Sequence, residues 1–372
     1  MNIIVLKEYA DGENRVAATP ETVSKLISKG FTVNVESGAG QLAGWSDEEF
    51  IKSGGIVLEF EKLFQKAGIY LAVQVPNRET IRRFPESSIL VSLFKPVENK
   101  SLAADLNARK ISAFSLELVP RITRAQSMDV LSSQANLAGY KAVLLAAHHY
   151  GRLFPTLMTA AGTVKAARLL VIGAGVAGLQ AIATAKRLGA VVSAFDIRSA
   201  SKEQVQSLGA SFVEIDLGLS DGEGKGGYAR ELTANERTRQ VELLGKVIEK
   251  QDIVITTAAV PGRPAPKLIA ASTVNAMRHG SVIVDLAAES GGNCELTHPG
   301  DVIVHKGVTL IGTTNIPSLL APEASALFAR NVMNFVLNLK NKEGQFYIDR
   351  NDEIVAGTLL TYGGEVVHSL FK

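Results

Sequence analysis

Three glycines that follow an apolar segment have the clearest chemical use in this chain. Leu169–Ile172 leads into Gly173, Gly175 and Gly178, which have the spacing G-x-G-x-x-G, and a helical pattern follows them. In such a segment the first glycine permits a tight turn, the second lets a pyrophosphate approach the backbone, and the third lets helix and strand pack closely. The helix N-terminus offers N–H groups to phosphates. The pattern predicts a dinucleotide site, and the alternative is a packing turn without a ligand.

An acidic residue strengthens this interpretation. Asp196 ends the next apolar run, roughly 20 residues after the glycines, where a carboxylate can bind the adenosine ribose hydroxyls. Because a carboxylate repels a 2′-phosphate, Asp196 favours NAD over NADP. Arg198, two residues further on, weakens that preference slightly.

A polar segment, 121–134, lies between two apolar ones and carries Arg121, Gln126, Asp129 and Ser132. Its cations, acid, amides and hydroxyls could hold a carboxamide and phosphates from several directions. It could equally be a solvated linker with Asp129 or Ser132 as a helix cap. The residues alone leave the two alternatives open.

Other candidate residues give weaker signals. His148 and His149 are adjacent on a predicted helix and point about 100° apart, so they form a poor metal pair and favour a structural or surface role. We find no cluster with metal-ligand spacing and predict no metal. Cys294 is most simply interpreted as a small side chain packed in the core. The glycine-rich segment with Gly227 and Tyr228 could be a lid or a surface loop.

Composition restricts the class of protein. The chain has 372 residues, 46% hydrophobic and 20% charged, which indicates a globular protein of about two domains. A net charge of +2 gives no reason to expect a nucleic-acid partner. One cysteine excludes an internal disulfide framework and fits a reducing cytoplasm. The N-terminus has the pattern of a strand rather than a signal peptide, and no apolar run is long enough for membrane insertion.

Apolar runs and helical periodicities alternate along the chain. The predicted strands are Asn2–Lys7, Thr32–Glu36, Tyr70–Val75, Ile89–Phe94, Ile111–Leu116, Arg168–Ile172, Val191–Phe195, Ser211–Glu214, Asp252–Thr256, Ser281–Asp285 and Val308–Ile311. The predicted helices are Pro20–Lys29, Asp47–Lys52, Ser101–Arg109, 132–150 and Pro322–Leu339. This alternation predicts an α/β protein with mostly parallel sheets in two Rossmann-like domains. We expect residues 1–131 and 322–372 to form a discontinuous N-terminal domain, completed by the C-terminal segment. Residues 132–321 would hold a connector helix and the nucleotide-binding domain.

With these motifs in view, the chain resembles the NAD(H)-binding domain I of proton-translocating NAD(P) transhydrogenase, in the form where that domain is a separate alpha-subunit chain. The resemblance covers essentially the whole chain. Its most specific segments are 124–140, 158–163, 178–190, 226–229 and 289–294.

The resemblance implies a role for each candidate residue, carried over by position. Arg121, Asp129 and Ser132 would hold the nicotinamide end, and Gln126 would reach towards the partner nucleotide. The residues implied at the pyrophosphate turn are Gly173, Ala174, Gly175, Val176 and Gly178. Those implied at the adenosine ribose are Asp196, Ile197 and Arg198. Gly227 and Tyr228 would belong to a mobile loop that closes near the nucleotide.

The same resemblance implies cofactors, partners and location. NAD(H) would bind this chain, and NADP(H) would be the co-substrate on a partner subunit. We expect a homodimer that docks on membrane-embedded transhydrogenase subunits, including an NADP(H)-binding component. The chain would then be cytoplasmic and attached peripherally to the inner membrane through those partners.

Two alternatives remain from the sequence. Alanine dehydrogenase is a fold relative that shares the pattern of residues 13–17 and uses a lysine and a histidine at the ends of two N-terminal strands. The matching positions here hold Gln74 and Phe94, and Arg15 is expected to be structural. Hydride transfer between two nicotinamides needs no protein acid or base, so the loss of that pair favours transhydrogenation. The other alternative is a non-catalytic NAD-sensing module, which the polar segment disfavours.

Overall fold

The structure is a computed structural model that describes residues 1–215, 232–259, 264–341 and 345–372. The strands are β1 (Asn2–Val5), β2 (Thr32–Glu36), β3 (Ile56–Leu58), β4 (Ile69–Gln74), β5 (Ile89–Leu93), β6 (Ser112–Ser115), β7 (Leu157–Thr159), β8 (Gly162–Val164), β9 (Arg168–Ile172), β10 (Val191–Phe195), β11 (Ser211–Phe212), β12 (Ile253–Thr256), β13 (Val282–Asp285), β14 (Val302–His305), β15 (Val308–Ile311), β16 (Leu359–Tyr362) and β17 (Glu365–Val366).

The helices alternate with these strands. They are α1 (Pro20–Ser28), α2 (Asp47–Lys52), α3 (Arg78–Arg83), α4 (Ala103–Ala108), α5 (Val130–His149), α6 (Val176–Arg187), α7 (Ser201–Ser207), α8 (Ala234–Ile248), α9 (Ala271–Ala276), α10 (Ala321–Asn338) and α11 (Glu353–Thr358). Within the described ranges, no helix is both long and apolar enough to cross a bilayer.

The chain divides into two compact units. The first unit is Met1–Gln134 with Ser318–Lys372, and the second unit is Ala135–Pro317. Helix α5 therefore begins in one unit and ends in the other. Each unit is built on its own mixed, mostly parallel sheet, as the alternation of apolar runs and helices predicts.

In the first unit the strand order is β3-β2-β1-β4-β5-β6-β16-β17. The strands from β1 to β6 are parallel, and β16 adds antiparallel to β6. Helices cover both faces of the sheet, so an apolar core lies on each side of it. Side chains of successive residues point to opposite faces: Ile3 and Val5 pack in one core, and Ile4 and Leu6 pack in the other. The order reverses between β1 and β4, and parallel α/β sheets bind ligands at such a point.

In the second unit the strand order is β11-β10-β9-β12-β13-β15-β14. All neighbours are parallel except the edge pair β14 and β15. Strand β9 lies between β10 and β12, with Val171 opposite Ala194 and Ile255. The order reverses at β9, so the glycine segment that follows β9 emerges at the position where a Rossmann sheet binds its nucleotide.

Candidate functional site

The glycine turn after β9 is held in a conformation that two of its glycines make possible. Gly173 has φ of +97°, which favours glycine, and a Cβ there would lie 2.5 Å from the Oγ1 atom of Thr257. Thr257 itself donates from Oγ1 to the carbonyl oxygen of Gly173 at 2.8 Å. A Cβ at Gly178 would lie only 1.8 Å from the same carbonyl oxygen. Helix α6 therefore packs against the turn so closely that only glycine fits at residue 178.

Gly175 differs from these two glycines because a Cβ there would meet nothing within 4 Å. It is the N-cap of α6, and within the described residues no side chain forms a hydrogen bond that caps this helix. The next residue, Val176, is 40% exposed, whereas Ala174 is buried. The backbone at Gly175 is thus accessible beside N–H groups of a helix N-terminus, which is the arrangement that binds a pyrophosphate.

Asp196 is joined directly to this turn. Its Oδ2 atom accepts from the backbone N–H of Ala174 at 2.7 Å, so the carboxylate at the end of β10 holds the residue between two glycines. Arg198 donates to the same carboxylate from its backbone N, from Nε and from Nη2, at 2.9, 2.9 and 2.7 Å. Ile197, between them, is half-buried against the apolar core on one face of the sheet. The structure therefore brings the predicted turn and ribose residues together.

The polar segment lies in the first unit. A 3-10 helix, Thr123–Met128, precedes α5, and Asp129 stands between them. The Asp129 carboxylate accepts from the backbone N–H of Ser132 at 2.9 Å and from its hydroxyl at 2.6 Å. Asp129 is therefore a helix cap, as one of the two alternatives for this segment proposes. The side chains of Arg121 and Gln126 belong to exposed residues on the same segment.

Two asparagines that the sequence analysis does not identify fasten this segment to α10. Asn331 and Asn334 both donate from Nδ2 to the carbonyl oxygen of Ser127, at 2.8 and 3.1 Å. Asn331 is only 8% exposed. Two amides three residues apart lie on one helix face, and this spacing on an apolar helix is the signal that could have revealed them. Arg124 adds an ion pair with Asp352 at 2.8 Å.

Comparison with known proteins identifies the family. The family model described as "Alanine dehydrogenase/PNT, N-terminal domain" matches residues 4–138, and the one described as "Alanine dehydrogenase/PNT, C-terminal domain" matches residues 142–369. The chain belongs to the alanine dehydrogenase/PNT family. It is 46% identical to an NAD(P) transhydrogenase subunit alpha chain of Rhodospirillum rubrum over 99% of this chain and 98% of that protein.

Solved structures agree with this membership. A transhydrogenase structure from Sinorhizobium meliloti matches with a TM-score of 0.86 and 43% identity, over 99% of both chains. An L-alanine dehydrogenase structure shares the fold, with a TM-score of 0.82 and 24% identity over 100% of this chain and 98% of that one. The resemblance stated from the motifs, the α/β fold class and NAD(H) as cofactor are thereby confirmed.

The two positions at which an alanine dehydrogenase is expected to hold a lysine and a histidine are Gln74 and Phe94 in this chain. Gln74 ends β4 and donates from Nε2 to the Oε2 atom of Glu13 at 2.9 Å. Phe94 follows β5, is fully buried, and packs edge-on against Phe371 with ring centroids 6.3 Å apart. An amide and a phenyl ring cannot exchange protons at neutral pH.

Arg15 is also occupied within its own unit. It is 3% exposed and pairs with both carboxylate oxygens of Glu13, from Nε at 2.7 Å and from Nη2 at 2.6 Å. Burial opposes ionisation of Glu13, but the hydrogen bonds and charge of Arg15, with a further bond from Gln74, hold the pKa of Glu13 below its usual value. The pair is therefore ionic and buried.

A separate cavity of about 190 Å³ lies at the sheet reversal of the first unit, lined by Glu8, Tyr9, Glu36 and Gln74 among others. Glu8 accepts from the backbone N–H groups of Val73 and Gln74 at 2.6 and 3.2 Å. Burial nevertheless raises the pKa of Glu8 to about 8. Tyr9 donates a short hydrogen bond to Glu36, and burial raises the pKa of Glu36.

The sequence analysis names five further candidates, two of which lie outside the described residues. His148 and His149 are exposed near the end of α5, and Cys294 is buried. The described ranges contain no group of three or more metal-ligating side chains that could hold an ion. Gly227 and Tyr228, predicted as a lid or loop, lie outside the described residues.

Proposed function

We propose that this chain is the NAD(H)-binding component of a proton-translocating NAD(P) transhydrogenase, and that it transfers hydride between NADH and NADP⁺ held on a partner subunit. The observation that carries the proposal is the combination of an intact nucleotide turn with inert residues at the ends of β4 and β5. The close packing at Gly173 and Gly178 and the hydrogen bond from Ala174 to Asp196 support a dinucleotide site at this turn. Gln74 and Phe94 offer no acid or base for chemistry on an amino acid.

We assign each predicted residue a role in that reaction. The turn residues bind the pyrophosphate, the residues after β10 bind the adenosine ribose, the capped segment holds the nicotinamide, and Gln126 reaches to the partner nucleotide. The assigned residues are Gly173, Ala174, Gly175, Val176 and Gly178; Asp196, Ile197 and Arg198; Arg121, Asp129 and Ser132; and Gln126. Gly227 and Tyr228 are assigned to a loop that closes near the nucleotide.

The chemistry requires position rather than proton transfer. In the forward direction a hydride, a proton with its electron pair, leaves C4 of NADH for C4 of NADP⁺, which yields NAD⁺ and NADPH. No protein group has to gain or lose a proton in that step. Catalysis then depends on holding the two rings in near-attack geometry, with reacting atoms roughly 3–3.5 Å apart. A rigidly capped segment such as Asp129 with Ser132 suits that task.

The proposal extends to partners and location. We propose a chain that acts at the cytoplasmic face of the inner membrane, attached to membrane-embedded transhydrogenase subunits that couple hydride transfer to proton movement. We also propose a homodimer, supported by the exposed apolar side chains of the β7–β8 hairpin: Met158 is 78% exposed, and Leu157 and Val164 are each 45% exposed. The two compact units would be the two predicted domains.

Reconstitution tests the proposed reaction. The purified chain is mixed with an NADP(H)-binding transhydrogenase component, and transfer of deuterium from C4 of NADH to NADP⁺ is followed by mass spectrometry. We expect labelled NADPH only when both proteins are present. Failure to form it with a partner that is active with another alpha subunit would refute the proposal.

The alanine dehydrogenase alternative predicts a different activity. NADH oxidation is measured with pyruvate and ammonium, with an authentic alanine dehydrogenase as the positive control. We expect no turnover above background because Gln74 and Phe94 replace the required lysine and histidine. Sustained turnover would favour the amino-acid dehydrogenase and contradict the transhydrogenase assignment.

A further inference from the structure

Gln134 connects the buried Arg15–Glu13 pair to the start of α5. Its Oε1 atom accepts from Nη1 of Arg15 at 2.9 Å, and its Nε2 atom donates to the carbonyl oxygen of Ala324 in α10 at 3.1 Å. Gln134 is 8% exposed. The side chain is therefore held at both ends, by a cation on one side and by a backbone group on the other.

The guanidinium of Arg15 is held as firmly as the amide that it contacts. Glu13 takes the Nε and Nη2 hydrogen bonds, and Gln74 donates to the same carboxylate. The contacts of these four side chains form a continuous network, which runs in a line from Gln74 through Glu13 and Arg15 to Gln134. All four residues belong to the first unit.

Gln134 lies two residues after Ser132 on the same helix, so a fixed Gln134 fixes the rotation of the first turn. The neighbouring Ser133 donates to Asn331 at 2.7 Å and adds a second restraint from α10. The helix Cα atoms lie on a cylinder of about 2.3 Å radius. A rotation of roughly 25° would therefore move the Cα of Ser132 by about 1 Å, and its side chain by more.

A displacement of that size matters for the proposed reaction. A misplacement of about 1 Å can lower a rate about a hundredfold when catalysis depends on the alignment of two reactants. In the proposed site the adenosine half binds to residues of the second unit, to which none of these four residues belongs. The network should thus influence the transfer step more than nucleotide affinity.

We propose that Arg15 is a positioning residue for hydride transfer, which through Gln134 sets the rotation of the first turn of α5 and the placement of Asp129 and Ser132. The inference rests on the proposed function. The alternative is that the network only stabilises the first unit.

Two variants interrupt the line at different points. Gln134→Met keeps a similar volume and removes the amide, while the Arg15–Glu13 pair remains. Arg15→Lys keeps a positive charge opposite Glu13, but a single ammonium cannot make the forked contacts to both Glu13 and Gln134. Thr361→Val is the matched control, because Thr361 is fully buried in the first unit and donates to the carbonyl oxygen of Ile111 at 2.8 Å. It removes one buried hydrogen bond outside the network.

Three measurements are made on each protein: the melting temperature, the equilibrium Kd for NADH, and the single-turnover transfer rate at saturating NADH with the partner component. We expect all three single variants to melt a few degrees lower. In Gln134→Met and Arg15→Lys the saturated rate should fall at least tenfold, with the NADH Kd within threefold of wild type. The double variant Arg15→Lys with Gln134→Met should be no slower than the slower of these two single variants, because both changes break the same chain of contacts. Thr361→Val should transfer at the wild-type rate.

The inference is overturned if Gln134→Met and Arg15→Lys transfer hydride within twofold of the wild-type rate although their melting temperatures fall as much as that of Thr361→Val. If the wild-type chain transfers no hydride, the proposed function fails, and the fluorescence of bound NADH then decides separately whether Arg15 and Gln134 set the placement of the nicotinamide end. Its emission comes from the nicotinamide ring. A positioning role predicts that this emission shifts towards that of free NADH in both network variants and not in Thr361→Val, and an unchanged emission overturns it.

Discussion

Replacement of Asp196 by asparagine tests whether its carboxylate selects NADH. Among the described residues, Ala174 contributes one N–H contact to this carboxylate and Arg198 contributes three, at 2.7–2.9 Å. A carboxylate accepts about four hydrogen bonds. Ribose hydroxyls must therefore displace contacts that Arg198 makes, and the guanidinium becomes available when they do.

The size of the effect follows from the bonds exchanged. A hydrogen bond to a charged group contributes about 1.5–3 kcal/mol, so Asp196→Asn should weaken NADH binding roughly ten- to a hundredfold. The opposite is expected for NADPH. Asparagine removes the repulsion of the 2′-phosphate, and Arg198, released from its ion pair, can bind that phosphate. The ratio of the two affinities should fall by more than the loss in NADH affinity alone.

Calorimetric titration with NADH and NADPH measures this ratio. The double variant Asp196→Asn with Arg198→Met is the matched control, because it lacks the guanidinium and should lose the gain in NADPH affinity. Asparagine keeps one oxygen for the N–H of Ala174, so the turn can be retained, and a melting curve checks this. If the single variant lost affinity for both nucleotides by the same factor, Asp196 would act only by holding the turn, and the reasoning would be wrong.

Three further predictions use other residues. Gln126→Asn should slow single-turnover transfer about a hundredfold, because it withdraws the amide by about one bond length. The NADH Kd, measured by equilibrium binding, should stay within a few-fold of wild type. A rate that falls only in proportion to lost affinity would contradict this role. Glu8 has a folded pKa of about 8 against an ordinary 4.5, so its contribution to stability is complete below pH 4.5 and is lost as pH rises towards 8, by at most about 1.4 kcal/mol per pH unit. Urea denaturation should show Glu8→Gln gaining stability relative to wild type over that range, and a pH-independent difference would be the contrary result. Gly178→Ala should lower the melting temperature and abolish NADH binding, because its Cβ would lie 1.8 Å from a carbonyl oxygen. Gly175→Ala should weaken NADH binding without lowering the melting temperature. Equal melting temperatures of the two variants would contradict the packing argument.

Buried strands were predictable from sequence because their chemistry is local. Thr32–Glu36, Arg168–Ile172, Val191–Phe195 and Val308–Ile311 are found at the predicted residues. The last three are mostly apolar, and Thr32–Glu36, with the sequence TVNVE, has valine at every second residue. Helix α1 was predictable for a similar reason: Thr19 caps it, and Pro20 occupies its first turn.

Edge elements were missed because neighbours, rather than their own residues, specify them. Strands β3 and β14 contain half-exposed or exposed residues and form by pairing with β2 and β15. Helix α3, with the sequence RETIRR, buries only Ile81 and has no apolar periodicity. Helix α8 was a different kind of omission. Thr233 and Glu236 form a capping box there, a signal that the sequence does carry.

The residues of the site were predictable in proportion to how local their geometry is. The glycine turn needs a positive φ at Gly173 and close packing at Gly178, and glycines at this fixed spacing indicate both requirements in the sequence. The support of the polar segment is not local. Asn331 lies about 200 residues from Ser127, and Arg15 lies 119 residues from Gln134. The spacing of Asn331 and Asn334 singles out that pair, but no local pattern indicates that Ser127 is its partner or that Gln134 is the partner of Arg15.

The alanine dehydrogenase alternative and the proposed transhydrogenase function require different arrangements of the polar residues in the first unit. In the former, a lysine and a histidine would stand at the ends of two strands, and Arg15 would be available to a substrate carboxylate. In this chain Gln74 donates to Glu13, and Glu13 and Gln134 occupy Arg15. A buried ion pair contributes little net stability over apolar packing, so stability alone is a weak reason for placing one here. Fixed geometry is a stronger reason, because transfer between two nicotinamides has no acid–base step to accelerate and gains rate from alignment. We therefore propose that Gln74, at the end of β4, serves through Glu13, Arg15 and Gln134 to hold the first turn of α5 in place.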